Sequence, residues 1–309
     1  MRTYKFGKLN IGRIIALSLA VFALQFLHPA SDAQSGDIIW ARDGMFFGQV
    51  GSQLSTRNIL SNAPSIRVEH NDKALQAYKS GDFATAKKLW ETAAGKGDIY
   101  AQWMLAKMHR LGQGVDVDDG AAFKYYQEVA GRFNGQQNQK SQFIITVDAH
   151  FWLASYYKSG VNEAGIKKRL KQAFKIYNFT ANNGHPAGQY ELAIFFFNGS
   201  VIKRNDTVGM RWIRASAKKR HAPAMALLGS IYWGGTVVKK NRVKGLMWYT
   251  LAKEYACPSI DPGIFDRFEE LYTEASDKVR SKAEALAYRW QQNNPLKEGQ
   301  LIYRIADCS

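Results

Sequence analysis

Apolar residues recur along this chain at helical spacing, in blocks that align with one another. Four blocks read GDIYAQWMLA (97–106), VDAHFWLA (147–154), GHPAGQYELA (184–193) and RHAPAMALLG (220–229). Ala101, Ala149, Gly188 and Ala224 share one register, and Leu105, Leu153, Leu192 and Leu228 share another, four residues on. Seven residues after each leucine comes a glycine: Gly112, Gly160, Gly199 and Gly235. A second set interleaves with the first: AKKLWETAA (86–94), AFKYYQEVA (122–130), AFKIYNFTA (173–181), GMRWIRASA (209–217) and GLMWYTLAK (245–253). In these a small residue leads, a bulky one follows three or four later, and alanine closes most copies. Small, large and small then share one helix face at i, i+4 and i+8. The small residues let helices approach, and the aromatic ones fill the groove between them as core. Self-similarity at this period predicts helix–turn–helix units, each burying its face only against its neighbours. The expected fold is all-α: a right-handed α-solenoid of about five units over residues 72–256, with a C-terminal helical cap and tail over 257–309.

The boundaries follow from breakers and caps. Asp72 is expected to cap a short helix holding Ala74, Leu75 and Tyr78, and Gly81-Asp82 to turn the chain into a helix over 83–94. Ala149 to Gly188 is 39 residues and Gly188 to Ala224 is 36, but Ala101 to Ala149 is 48. The extra residues fall around 133–145, rich in Asn and Gln, and read as a lengthened connection of the kind that often lies on a binding face. Pro258 and Pro262 end the pattern, and 265–292 reads as one or two amphipathic helices, apolar inside and polar outside, as a terminal cap needs.

The N-terminus sets the expected compartment. Arg2, Lys5, Lys8 and Arg13 precede an apolar run over 14–27, Pro29 breaks it, and Ser31-Asp32-Ala33 supplies small residues for a peptidase. That layout predicts a secretory signal over 1–33 cleaved between Ala33 and Gln34, with an uncleaved anchor as the alternative. Residues 34–71 then read as a mobile leader. An oxidising compartment leaves Cys257 and Cys308 either paired as a disulfide or as two thiols.

The segment AQWMLAKMHRLGQGVDVDDGAAFKYY (101–126) carries A-x-x-x-L-A, then G-x-G-V with an acidic run, then A-x-x-x-Y. This pattern resembles Sel1-like repeats, relatives of tetratricopeptide repeats; Ser200-Val201 and Thr236-Val237 depart from it in later units. The secretory signal, the segment GVDVDDGAAFKYYQEVA (114–130), the insert after it and the cap together resemble the ExoR family of periplasmic exopolysaccharide regulators. The resemblance implies a non-enzymatic protein that binds the periplasmic domain of a membrane sensor histidine kinase and keeps its two-component pathway quiet. The alternatives are a cell-envelope scaffold or assembly adaptor, or a secreted Sel1-like effector binding a host protein.

Charge adds one candidate surface. The net charge is +16, and losing four bases and one acid with the signal leaves +13. Lys167, Lys168 and Arg169, then Lys218, Lys219 and Arg220, then Lys239 and Lys240 recur from unit to unit. If equivalent parts stack, they form a basic ridge facing an acidic protein or an anionic envelope surface, polysaccharide or lipid head groups; the alternative is an ordinary solvated face. Export removes nucleic acid from the expected partners. No catalytic, cofactor or metal site is expected. Asp116, Asp118 and Asp119 lack calcium-loop spacing and one of them reads as a helix cap; His185 and His221 recur at the same turn as structural residues.

Overall fold

The computed structural model describes residues 68–133 and 140–295, which belong to one compact body of the chain. The predicted signal, most of the leader and the tail with Cys308 lie outside the described residues. The described residues form twelve helices and no strand, with one isolated antiparallel bridge between Val161 and Ile166. The helices are α1 (Val68–Lys79), α2 (Phe83–Gly95), α3 (Ile99–Leu111), α4 (Asp119–Ala130), α5 (Lys140–Ser159) and α6 (Leu170–Asn182). They continue as α7 (Pro186–Asn198), α8 (Asp206–Lys218), α9 (Ala222–Gly234), α10 (Arg242–Tyr255), α11 (Pro262–Glu274) and α12 (Asp277–Asn293). Each helix packs on its successor up to α11, and α12 returns to pack on α10. The predicted α-solenoid is thus present: five helix pairs from α1/α2 to α9/α10, closed by α11 and α12.

The aligned positions of the sequence are the buried ones. Ala101, Ala149 and Ala224 are inaccessible, as are Leu105, Leu192 and Leu228, and Leu153 and Gly188 are buried. On the second helices Ala86, Ala122 and Ala173 lead, and Trp90, Tyr126, Tyr177, Ile213 and Tyr249 fill the core one turn later. The small residues are needed by contact: a Cβ on Gly245 would lie 2.9 Å from the backbone nitrogen of Trp233 on the facing helix.

The recurring glycine ends each first helix. Gly199 has φ +65°, the left-handed conformation that ends a helix cheaply only with glycine, and its N–H donates to Phe195 O at 3.0 Å. Gly112, Gly160 and Gly235 share that conformation. The chain then folds back, and the residue that starts the second helix donates its N–H to the carbonyl three residues before the glycine. Those bonds are Asp118 to His109 (3.0 Å), Arg169 to Tyr157 (2.7 Å), Asn205 to Phe196 (2.9 Å) and Asn241 to Tyr232 (2.7 Å). Asp118, Asn205 and Asn241 also cap the second helix with a side-chain oxygen 2.9–3.0 Å from the N–H three residues on. Arg169 has no such oxygen and makes no cap bond.

Three expectations are corrected. Asp72 is not a cap: α1 already runs from Val68, so the last four residues of the expected leader are helical, and neighbouring Asn71 instead reaches Asp98 at 3.2 Å. The insert is not only connection. Part of it extends α5 to 20 residues against 13 for α3, α7 and α9, because Phe143 packs on Phe133 and Thr146 is fully buried, while 134–139 lie outside the described residues. The three surplus residues between Ala149 and Gly188 lie in the loop after Gly160. There the Val161–Ile166 bridge tucks Ile166 into the core.

The third correction concerns Lys219 and Arg220, which are inter-unit clamps and not parts of an exposed ridge. Gly97, Gly184 and Arg220 occupy one turn in three of the joints between units, with φ of +83°, +82° and +62°. Arg132 donates to Gly97 O at 2.9 Å, and Lys219 donates to Gly184 O, each reaching back 35 residues into the preceding unit. Burial holds the Lys219 ammonium down to about 8. Arg220, buried in place of glycine, donates to Asn294 O at the end of α12 and faces the rings of Tyr255 (5.3 Å) and Trp290 (5.6 Å). Only Lys218 of the three is exposed. Beside Arg220, His221 opens α9 with no side-chain cap bond; its Nδ1 is buried without a partner and the Tyr190 ring lies 5.3 Å away. Burial, reinforced by neighbouring His185, pushes its pKa down to about 3.

Leu192→Ala should cost about 2–5 kcal/mol of unfolding free energy, and Gly199→Ala at least about 1 kcal/mol through its positive φ. Urea melts that leave either variant unshifted would contradict the repeat register. Arg220→Ala should destabilise by about 1–3 kcal/mol, because it loses a charged hydrogen bond and ring contacts, whereas Lys218→Ala should stay within about 0.5 kcal/mol. Arg220→Gly should recover part of the loss, since glycine takes the same φ without strain; thermal melts of the three variants compare them. A native His221 pKa below the unfolded value means the unfolded chain binds more protons between about pH 3 and about 6.5, so stability falls as pH drops through that window. His221→Gln should lose about 2 kcal/mol less than the parent between about pH 7.5 and about pH 5, and equal losses in denaturant melts at the two pH values would remove His221 from the effect.

Candidate interaction surface

Short connections between packed neighbours make successive helices antiparallel. The loops therefore fall on two opposite edges. Loops joining first to second helix within a unit lie on one edge, at 112–118, 160–169, 199–205 and 235–241. The joints between units, including Lys218, Lys219 and Arg220, lie on the other. The ridge expected from sequence is thereby split. Lys167, Lys168, Arg169, Lys239 and Lys240 share an edge, and Lys218, Lys219 and Arg220 do not belong to it.

The equivalence of the within-unit loops can be read from contacts at the glycines. A Cβ on Gly112 would meet Val117, one on Gly160 would meet Lys168, one on Gly199 would meet Arg204, and one on Gly235 would meet Lys240. The corresponding pairs are therefore Asp116-Val117, Lys167-Lys168, Lys203-Arg204 and Lys239-Lys240. Lys203 and Arg204 complete a series that the sequence reading missed. The signal was available, since each pair stands immediately before the residue that starts the second helix. Lys167, Lys168, Lys203, Lys239 and Lys240 are exposed, and among the described residues no carboxylate pairs with them. Arg204 forms a two-pronged pair with Asp206 (2.8 Å for both contacts), and Arg242 pairs with Glu274 at 2.9 Å.

The residue whose carbonyl closes each loop carries a half-buried ring: Tyr157, Phe196 and Tyr232, with His109 in the acidic loop. The Arg169 guanidinium lies 5.7 Å from the Tyr157 ring, and the Lys244 ammonium 5.6 Å from the Tyr232 ring. Arg214 donates to the Tyr232 hydroxyl at 3.3 Å. Cations over ring faces gain electrostatically and are held in place.

The first-helix face is polar but internally paired. Trp103 Nε1 donates to Asp148 Oδ2 at 2.6 Å, and His185 Nε2 lies 3.2 Å from Asp148 Oδ1. His185 Nδ1 accepts the Gly188 N–H at 3.0 Å and caps α7, and its ring stacks on Phe151 at 4.6 Å. Lys158 pairs with Glu191, and the Arg110 guanidinium lies 3.7 Å over the Trp152 ring. Asp118 is the cap of α4, and Asp119 accepts from the Tyr156 hydroxyl at 3.0 Å. Among the described residues no three His, Cys, Asp or Glu side chains gather within reach of one metal ion. Cys257 is buried with its Sγ 3.2 Å from Ser259 Oγ, and its candidate partner Cys308 lies outside the described residues.

The Sel1 repeat family matches residues 99–130, 147–185, 186–221 and 222–254. Two curated relatives are each described as an exopolysaccharide production negative regulator, one from Rhizobium leguminosarum bv. viciae and one from Rhizobium meliloti (strain 1021). Each is 32% identical over 157 residues, which is 50% of this chain and 58% of the relative, so the match spans little more than half of those proteins. A Sel1 repeat protein from Oxalobacter formigenes superposes with a TM-score of 0.52 at 20% identity, over 72% of this chain and 86% of that one, and supports the fold alone. No helix among the described residues is long and apolar enough to cross a membrane. With α3/α4, α5/α6, α7/α8 and α9/α10 each coinciding with one matched repeat, the chain belongs to the Sel1 repeat proteins.

Proposed function

We propose that this protein is a non-enzymatic, exported regulator that restrains exopolysaccharide synthesis by binding the periplasmic domain of a membrane sensor kinase. The observation that carries the reading is the 32% identity to two curated negative regulators of exopolysaccharide production, over a stretch as long as the matched repeats. Sel1 arrays generally mediate protein–protein interaction, and a stack of hairpins offers an extended surface to a partner. The n-region, apolar run and Ser31-Asp32-Ala33 sequence support export with cleavage after Ala33.

Deleting the gene should raise exopolysaccharide and the output of one two-component pathway, and residues 34–309 behind any secretory signal should restore both. The exported chain should begin at Gln34 on N-terminal sequencing. Normal kinase output and normal polysaccharide in the deletion strain, with a misassembled envelope, would replace this reading with that of a scaffold.

A further inference from the structure

Units three to five repeat one arrangement on their within-unit loops. Lys167-Lys168, Lys203-Arg204 and Lys239-Lys240 stand at the same place, each just before the residue that bonds back to the carbonyl of a half-buried aromatic residue, Tyr157, Phe196 or Tyr232. Five of these six cations have no carboxylate partner among the described residues. Like charges on neighbouring loops repel, so an unpaired row is less costly when a polyanion covers it. We propose that this edge binds an anionic polysaccharide, a polymer bearing carboxylates at intervals.

Three features favour that occupant. The first is repetition. Packed helices lie roughly 8–10 Å apart and each unit contributes two of them, so the same cation pair recurs once per unit along the edge, in steps of roughly 10–20 Å. A polymer that repeats its own charge can meet such a row in any register, whereas the surface of a folded protein does not repeat. The second is the kind and density of charge. Five of the six pair residues are lysines, which act as hydrated point charges, and the one arginine already grips Asp206. Duplex nucleic acid carries a charge about every 1.7 Å of axis and is matched by a denser, fork-rich surface. The third is the lack of an insertion device. The exposed large apolar side chains among the described residues are Leu111, Val117, Ile260 and Tyr288, and none lies in these three loops. A membrane-seated edge would place such residues beside its lysines. The rings serve a different purpose: Tyr157 and Tyr232 hold Arg169 and Lys244 in place, which lowers the ordering cost of binding.

This ligand is additional to any kinase partner, and its test does not depend on a kinase. The full exported chain is titrated with polygalacturonate, with neutral dextran, with phosphatidylglycerol vesicles and with polyuridylate. Polygalacturonate should bind, and more weakly as salt rises from about 50 to about 200 mM, while dextran should not. The Lys168→Gln, Lys203→Gln, Lys240→Gln triple variant should bind about tenfold more weakly with an unchanged melting midpoint. Lys218→Gln, on the opposite edge, should bind like the parent. If the triple variant melts early, Lys167→Gln with Lys239→Gln should show the same loss of binding in a folded chain. Parental affinity in a folded variant of this edge, equal binding of dextran, or tighter binding of the vesicles or of polyuridylate would each overturn the proposal.

Discussion

Each of the last four repeat units turns on one backbone hydrogen bond, from the first residue of the second-helix cap back to the carbonyl three residues before the loop glycine. Its length is 2.7–3.0 Å in all four loops. It exists only if the glycine takes a left-handed conformation, because the first helix has to stop within one residue for the chain to return. A buried unpaired carbonyl and N–H at this point would together cost several kcal/mol. The bond fixes where the second helix starts, which fixes the register of its small–large–small face. That face determines which rings reach the core and how closely the next unit can stack. The unit-three loop illustrates the constraint, for it carries three surplus residues and still closes the same bond, absorbing the surplus in the Val161–Ile166 bridge.

A loop that satisfies its own backbone places little demand on the side chains just before the cap. Val117, Lys168, Arg204 and Lys240 occupy equivalent places, and the same closing bond forms with all four. The composition of this edge is therefore free to follow what touches it, and in three successive units it is basic. The opposite edge has no such freedom. There three of the joints between units hold a left-handed residue whose carbonyl or side chain is tied to a neighbour: Gly97 by Arg132, Gly184 by Lys219, and Arg220 to the end of α12. Lys219, Arg220 and Arg132 hold units together on one edge, and Lys167, Lys168, Lys203, Lys239 and Lys240 on the other are exposed with no carboxylate partner among the described residues. They look alike in composition and differ in consequence.

That difference explains what could be read from the sequence. The leucine, small-residue and glycine registers were legible because helix period, close packing and left-handed backbone each restrict residue type locally. The cap at Asp118 was legible for the same reason. The roles of Lys219 and Arg220 were not, because their partners lie 35 and 74 residues away and a lysine next to an arginine reads as surface. The α5 extension was hidden by Asn and Gln, which favour loops locally, while its support comes from Phe133 in the joint before it, whose ring meets both Phe143 and Phe179 of α6. Lys203 escaped because its unit carries one pair where the neighbours carry longer basic runs; aligning the loops on the glycine, and not on the charge, recovers it.

Strain at Arg220 shows how the two edges are coupled through the core. A non-glycine residue at φ +62° costs about 1–2 kcal/mol, and glycine at the same turn in two earlier joints, Gly97 and Gly184, avoids it. The cost is tolerated where the guanidinium reaches the end of α12 and lies against Tyr255 and Trp290. Those contacts join the last repeat to the cap helix, and a solenoid frays from its ends unless the terminal face is covered. The same last repeat carries Lys239, Lys240 and Lys244 at its far edge, on α10 and the loop before it. Holding α10 between α9, α11 and α12 fixes those cations relative to the pairs on units three and four. A row of charges can present one spacing to a ligand only if its last member is as firmly placed as the others, and the residue that departs from the repeat pattern is the one that secures it.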